Sequence, residues 1–245
     1  MIRLKPLVYP TLYLKEDNSG YTDHKLHKEI SDKILEGWSS LLNSIDKKDI
    51  PLSDITEQEL HVAVEEGYQF IMTVKDVDTK AETPLKIDVL LAIIDKNENI
   101  AIHGASLNIH QIPIEVYLQV SENYTVNELL KMKDYISNLA HHEAVHIIKY
   151  QQKLFQFSSP DGNFNKKDKE WIYRYFTHPS ELHAYISQLN NELKQLKEKY
   201  KDITFSEAIN KSVIYKRYVR DIFWKNPKIK NKMLSKVAHY WNSLS

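Results

Sequence analysis

The residues from 141 to 146 read His-His-Glu-Ala-Val-His and contain the pattern H-E-x-x-H at His142, Glu143 and His146. Residues four apart lie on the same face of an α-helix, so a helix through this segment brings both imidazoles to one point. We therefore expect a helix here, with the other elements of the chain supporting it or completing its site.

The chemistry of this pattern is that of a zinc-dependent peptidase. Two imidazoles on one helical face can bind a single metal ion, and the carboxylate of Glu143 can reach a water at that metal. The alternative is that His142 and His146 are ordinary histidines of a helix surface. His141 lies outside the pattern, and we expect it to be a flanking polar residue.

A helix start precedes the motif. Thr125 and Glu128 have the spacing of a capping box, in which each side chain receives a hydrogen bond from the backbone of the other. Apolar residues at helical spacing then continue into the motif: Leu129, Met132, Ile136 and Leu139. The spacing predicts one long helix from Thr125 to about Leu154, followed by a loop over 158–169.

Strand patterns dominate the region before that helix. A strand-like opening at 4–14, a helix at 23–45 and a second helix at 57–66 ended by Gly67 come first. Four strands are then predicted at 68–77, 85–95, 100–110 and 112–120, and Gly104 in the third strand is a candidate β-bulge. Ile112 to Val120 alternates apolar and polar residues, and we expect it to be an edge strand available to an extended peptide.

The C-terminal half has helical patterns. Pro179 suits the first position of a helix, whose apolar stripe is Leu182, Ile186, Leu189, Leu193 and Leu196. Two more helices are predicted at 205–225 and 228–244. This order favours an α+β fold: a small antiparallel or mixed sheet, then the H-E-x-x-H helix, then a helical C-terminal half. We expect one domain over 1–245, with helices and sheet in a lobe at 1–124 and a metal-binding helical lobe at 125–245.

Composition excludes several other classes of protein. The 245 residues include no cysteine, which removes disulfides, thiol catalysis and cysteine-ligated zinc. Positive and negative charges balance, so the chain as a whole gives no sign of a nucleic-acid or membrane partner. Neither a signal peptide nor a run long enough to span a bilayer is recognised, and we expect a cytoplasmic protein.

A third ligand is needed, because catalytic zinc takes three protein ligands and leaves one position open. Lys149 and Gln152 stand where the metzincin pattern requires glycine and histidine, which excludes that class. Glu181, in the first turn of the predicted helix after Pro179, is the first candidate. It could instead serve the helix terminus, and His178 and His183 are rival ligands.

The sequence resembles the gluzincin metallopeptidases at His142-Glu143-x-x-His146 and Glu181-x-x-Ala184. In that family the third ligand is a glutamate, and a small residue one turn later lets two helices approach. The resemblance implies a zincin-like fold, Zn²⁺ bound by His142, His146 and Glu181, and Glu143 as the general base. It covers these two helices and the presence of a sheet before the motif.

The implied reaction is peptide-bond hydrolysis of a peptide or protein substrate, with internal cleavage expected. Zinc makes a bound water more acidic, and Glu143 would take the water's proton and pass it to the leaving amine. A donor to the developing oxyanion is also needed. Tyr185, one turn after Glu181, is the first candidate, followed by Tyr175 and His178; each could instead belong to the core.

Two other functions are considered. A non-catalytic, phage-type structural or interaction protein could retain the metal on the same scaffold. The basic helices after residue 210 could bind nucleic acid, with Tyr215, Tyr218 and Trp224 interleaved among the lysines and arginines. A run of charge is usually a solvated face, so a nucleic-acid partner is not expected.

Overall fold

Six strands form one mixed β-sheet in the computed structural model, which describes residues 7–8, 12–14, 24–76, 82–95, 100–108, 112–151 and 169–244. The strands are β1 (Leu7–Val8), β2 (Leu12–Leu14), β3 (Tyr68–Asp76), β4 (Glu82–Ile94), β5 (Ile102–Asn108) and β6 (Ile114–Ser121). The order across the sheet is β1-β3-β4-β6-β5, and β2 also pairs with β3. β4 pairs antiparallel with β3 and parallel with β6, and β5 is antiparallel to β6.

The position of β6 corrects the sequence prediction. Ile112 to Val120 was expected to be an edge, but β6 has β4 on one side and β5 on the other. Its alternation is real: Ile114, Val116, Leu118 and Val120 are buried, and the residues between them are half-buried. Alternation shows which face of a strand is buried, but it does not show which strands lie beside it. The strand order places β5 at the edge instead.

Helix α1 (His24–Ser44) packs against β3 and β4. Its buried stripe includes Leu26, Ile30, Ile34 and Trp38, as the helical spacing predicted. Gly37 allows the close approach, because a Cβ there would lie 2.8 Å from Cδ1 of Tyr68 and 2.9 Å from Cβ of Val89. The hydroxyl of Tyr68 also donates to Glu36 at 3.1 Å.

A short helix, α2 (Glu57–His61), continues as a wider helical turn over Val62–Glu66 and ends before Gly67. Gly67 has a φ of 65°, the left-handed conformation that favours glycine after a helix. Gly104 in β5 has a φ of 146° and lies where the register with β6 shifts, so the predicted bulge is confirmed.

The helix that carries the motif begins later than predicted. The capping box at Thr125 and Glu128 is confirmed, but it opens a separate helix, α3 (Val126–Leu130), and the motif lies in α4 (Lys133–Gln151). The break occurs because Met132 donates to Leu129 three residues earlier, which closes the last turn of α3 tightly. The predicted continuation to Leu154 and nearly all of the loop at 158–169 lie outside the described residues.

The chain divides into two compact units, Met1–Ile148 and Lys149–Ser245. The second unit contains α5 (Lys169–Thr177), α6 (Pro179–Lys199), α7 (Phe205–Lys211), α8 (Val213–Tyr218) and α9 (Pro227–Ser243). Leu182, Ile186, Leu189 and Leu193 of α6 lie in its apolar core, as predicted. None of the described helices combines the length and apolar character needed to cross a membrane.

One predicted helix of the second unit is divided. The helix expected at 205–225 ends as α7 at Lys211, and α8 begins after Ser212, whose side chain accepts from Tyr215. The carboxylate of Glu192 accepts a hydrogen bond from Ser212 and, at 2.8 Å, from the amide of Val213. These bonds satisfy the first amides of a new helix, which explains the break.

Candidate metal centre

The motif occupies the middle of α4, where both histidines and Glu143 are buried. Small and apolar residues surround them in the sequence, and Ala140, Ala144, Ile147 and Ile148 are all fully buried. Three buried ionisable side chains within five residues of one helix are uncommon, because burying polar groups costs free energy unless they bind one another or a ligand.

His142 and His146 converge through the same ring atom. Their Nε2 atoms lie 3.1 Å apart, and their ring centroids lie 4.9 Å apart with the planes inclined at 62°. The prediction that both imidazoles share one helical face and reach one point is therefore confirmed.

Glu181 lies in the first turn of α6 and is half-buried. One ligand atom from each of His142, His146 and Glu181 lies within 4.8 Å of the other two. Among the described residues this is the one group of three or more histidine and acidic side chains close enough to hold a metal ion. The sequence-based candidate set and this group are the same three residues.

The start of α6 bears on the alternative role of Glu181. His178 occupies the N-cap position without a side-chain bond to the first turn, and Pro179 is the first helical residue, as predicted. A reciprocal capping box between residues 178 and 181 is thus not formed. The negative charge of Glu181 in the first turn can still interact favourably with the positive end of the helix dipole.

His183, a rival ligand, is in contact with a different partner. Its Nδ1 accepts from the ammonium of Lys149. Burial, followed by the nearby charge of Lys149, lowers the pKa of His183 to about 4, so its ring is neutral at pH 7. Burial, followed by the charge of Lys236, lowers the pKa of Lys149 to about 7. Neither His183 nor His178 belongs to the group that could hold a metal.

Tyr185 and Tyr175, the candidate oxyanion donors, lie in or against the apolar core of the second unit. The ring of Tyr185 packs on Phe176 at 4.8 Å and on Tyr218 at 5.6 Å. Tyr175 packs edge-on against Phe176 at 5.5 Å. Their apolar rings therefore have a packing role, and a catalytic role for either hydroxyl stays a prediction.

His27 is a contributor that the sequence did not reveal. Its Nε2 lies 3.0 Å from the backbone carbonyl of His141, and the two rings lie 5.0 Å apart. His27 is buried on α1 one turn before Ser31, which is also buried, and this continues the face of Ile34 and Trp38. The signal was a histidine at the helical spacing of a buried face.

A scan of protein-family models, a search of curated proteins and a search of solved structures each returned no match to this chain. The functional interpretation therefore rests on the chemistry and geometry of the side chains themselves.

Proposed function

We propose that this chain is a zinc-dependent peptidase of gluzincin type, in which His142, His146 and Glu181 bind the metal and Glu143 is the general base. The observation that carries the proposal is the 3.1 Å separation of the two Nε2 atoms in the buried middle of α4. The zincin-like classification of the fold belongs to the same proposal.

The separation suits a shared metal. Two Zn–N bonds of about 2.0–2.1 Å at a tetrahedral angle place the nitrogens about 3.3 Å apart. The same distance would also allow one neutral imidazole to donate to the other. The carboxylate within 4.8 Å favours the metal, because two imidazoles and a glutamate are a donor set that catalytic zinc uses.

Zinc, when bound, would polarise a peptide carbonyl and make a water acidic. Glu143 follows His142 directly in the sequence, and its side chain is buried away from bulk water. It would accept the proton of the attacking water and donate it to the leaving amine. Tyr185 remains the first candidate for donation to the developing oxyanion. The substrate is a peptide or protein cleaved internally.

The test combines metal analysis with one isosteric substitution. Wild type is expected to contain one zinc per chain and to cleave unfolded protein substrates, detected as new peptides by mass spectrometry. Glu143→Gln should keep the zinc and lose about 10²–10⁴-fold in rate, because only the proton carrier is removed. Asp134→Asn, an exposed carboxylate of the same helix, is the matched control and should keep full activity.

Three outcomes would contradict the proposal. Wild-type protein without stoichiometric zinc would contradict the assignment of a metal site. Full activity in Glu143→Gln would contradict the assignment of Glu143 as the general base. Zinc in both proteins with cleavage by neither would support the non-catalytic interaction protein instead.

A further inference from the structure

The second unit has an amphipathic segment whose outer face is cationic. Ile214, Tyr218 and Ile222, four residues apart, are buried in the core along α8 and the helical turn Val219–Phe223. Lys216, Arg220 and Trp224, also four apart, are exposed on the other side. We name these three residues, with the flanking Val213 and Val219, the cationic stripe.

The cationic stripe exposes apolar as well as charged groups. Val213 is 66% exposed, Trp224 is 60% exposed and Val219 is 47% exposed. The indole Nε1 of Trp224 donates to the carbonyl of Asp221 at 3.1 Å, so its polar edge is bonded within the protein. What Trp224 offers outward is therefore apolar surface, whose removal from water would stabilise a complex.

Charge is concentrated in the same part of the chain. Residues 205–244 contain nine Lys or Arg and two Asp or Glu, although the whole chain is neutral. Arg220 binds Asp221, and Lys225 binds Glu170. Within the described ranges, Lys216, Lys228 and Lys230 have no carboxylate within ion-pair distance. The partner that fits this surface is therefore anionic.

We propose that the cationic stripe, with the lysines at the start of α9, binds the headgroup surface of an anionic lipid bilayer. Lysine and arginine are attracted to anionic headgroups, and tryptophan and aliphatic side chains gain by entering the boundary with the acyl chains. This peripheral contact requires no spanning helix. It goes beyond the peptidase proposal and does not depend on it.

The exposed valines favour a bilayer over a nucleic acid. Single-stranded nucleic acid is bound by aromatic platforms on which bases stack, and valine offers neither an aromatic face for a base nor a hydrogen bond to a base edge. Of the aromatic residues of α8 and the following helical turn, Tyr218 is fully buried, and Tyr215 and Phe223 are half-buried. One exposed indole among aliphatic neighbours suits a membrane interface.

The experiment measures co-sedimentation of the full chain with vesicles of phosphatidylcholine, with and without phosphatidylserine, at low and high salt. Binding is expected only with the anionic lipid and should weaken at high salt. The double variant Lys216→Glu/Lys228→Glu should lose at least about tenfold in affinity. Trp224→Ser should lose several-fold, while Lys133→Glu, an exposed lysine of α4, should bind as wild type.

Circular dichroism of every variant ensures that the folded proteins are compared. Equal binding to both vesicle types, no binding to either, or equal loss in Lys133→Glu would overturn the proposal. So would tighter binding to a single-stranded oligonucleotide in the same buffer, lost in the double variant, since that would make the surface a nucleic-acid site.

Discussion

The Nε2 of His27 donates to the backbone carbonyl of His141, 114 residues later in the chain and directly before the candidate ligand His142. A carbonyl oxygen only accepts hydrogen bonds, so this nitrogen of His27 carries the proton. The bond connects α1 to the turn of α4 from which His142 projects. The orientation of a metal ligand depends on such contacts behind it.

Removal of the His27 imidazole is expected to weaken zinc binding by about tenfold. His27→Ala leaves His142 in place but releases the turn of α4 that carries it. His27→Gln, which keeps a side-chain donor, should recover most of the affinity. Competition with a chromophoric chelator measures both variants. Unchanged affinity in His27→Ala would show that the bond supports packing alone.

Glu181 and His183 are distinguished by metal content. Glu181→Ala should reduce zinc affinity at least about a hundredfold, because two imidazoles alone leave the ion with too few protein ligands. His183→Ala should retain stoichiometric zinc, since its ring contacts Lys149. Elemental analysis after dialysis reads the result. If zinc were retained in Glu181→Ala and lost in His183→Ala, His183 and not Glu181 would be the third ligand.

Lys149 is expected to make the stability of the metal-depleted protein rise between pH 7 and pH 9. The folded lysine loses its proton near pH 7, whereas the unfolded lysine keeps it to about pH 10.4, so the unfolded state holds more protons in this range. The gain should be on the order of 1–2 kcal/mol in urea unfolding with a chelator present. Below about pH 6 the lysine is protonated in both states and this contribution is constant.

Lys149→Met should abolish that slope and raise the stability at pH 7, because a buried charge is replaced by an apolar chain of similar length. His183 contributes in a separate range. Its folded pKa of about 4 lies below the ordinary value, so its contribution rises with pH from about 4 to 6.5. If the free energy of unfolding of Lys149→Met still rose between pH 7 and pH 9, groups other than Lys149 would be responsible for the rise.

Gly37→Ala should destabilise the protein by about 1–3 kcal/mol, although alanine is the better helix former. The added Cβ would overlap Tyr68 and Val89 at the contact between α1 and the sheet. Ser40→Ala, an exposed position of the same helix, should change stability by less than about 0.5 kcal/mol. Urea denaturation measures the free energy of unfolding of both variants. If Gly37→Ala were as stable as wild type, α1 could move away from the sheet at no cost in stability.

The parts of the fold that the sequence predicted are those specified by local patterns. The capping box at Thr125 and Glu128, the first helical position of Pro179 and the bulge at Gly104 each need only a few neighbouring residues, and all three are confirmed. The convergence of His142 and His146 follows from helix geometry alone. These features could be read without knowing what the elements pack against.

The parts that were missed depend on distant residues. α8 begins after Ser212 because the carboxylate of Glu192, on helix α6, accepts hydrogen bonds from the amides of Val213 and Ile214. The neighbours of β6 are set by strand pairing, which alternation does not encode. His27 lies at the helical spacing of a buried face, but its partner is a carbonyl far along the chain, which local spacing does not reveal.

The bulge at Gly104 has a further consequence for how this protein behaves at high concentration. β5 has seven residues and, among the described strands, is paired with β6 alone, so its outer main chain could recruit a strand from another molecule. The shift of register at Gly104 interrupts the regular spacing that such a recruit would need. We therefore expect that a substitution which straightens β5 at Gly104 would increase self-association at high concentration.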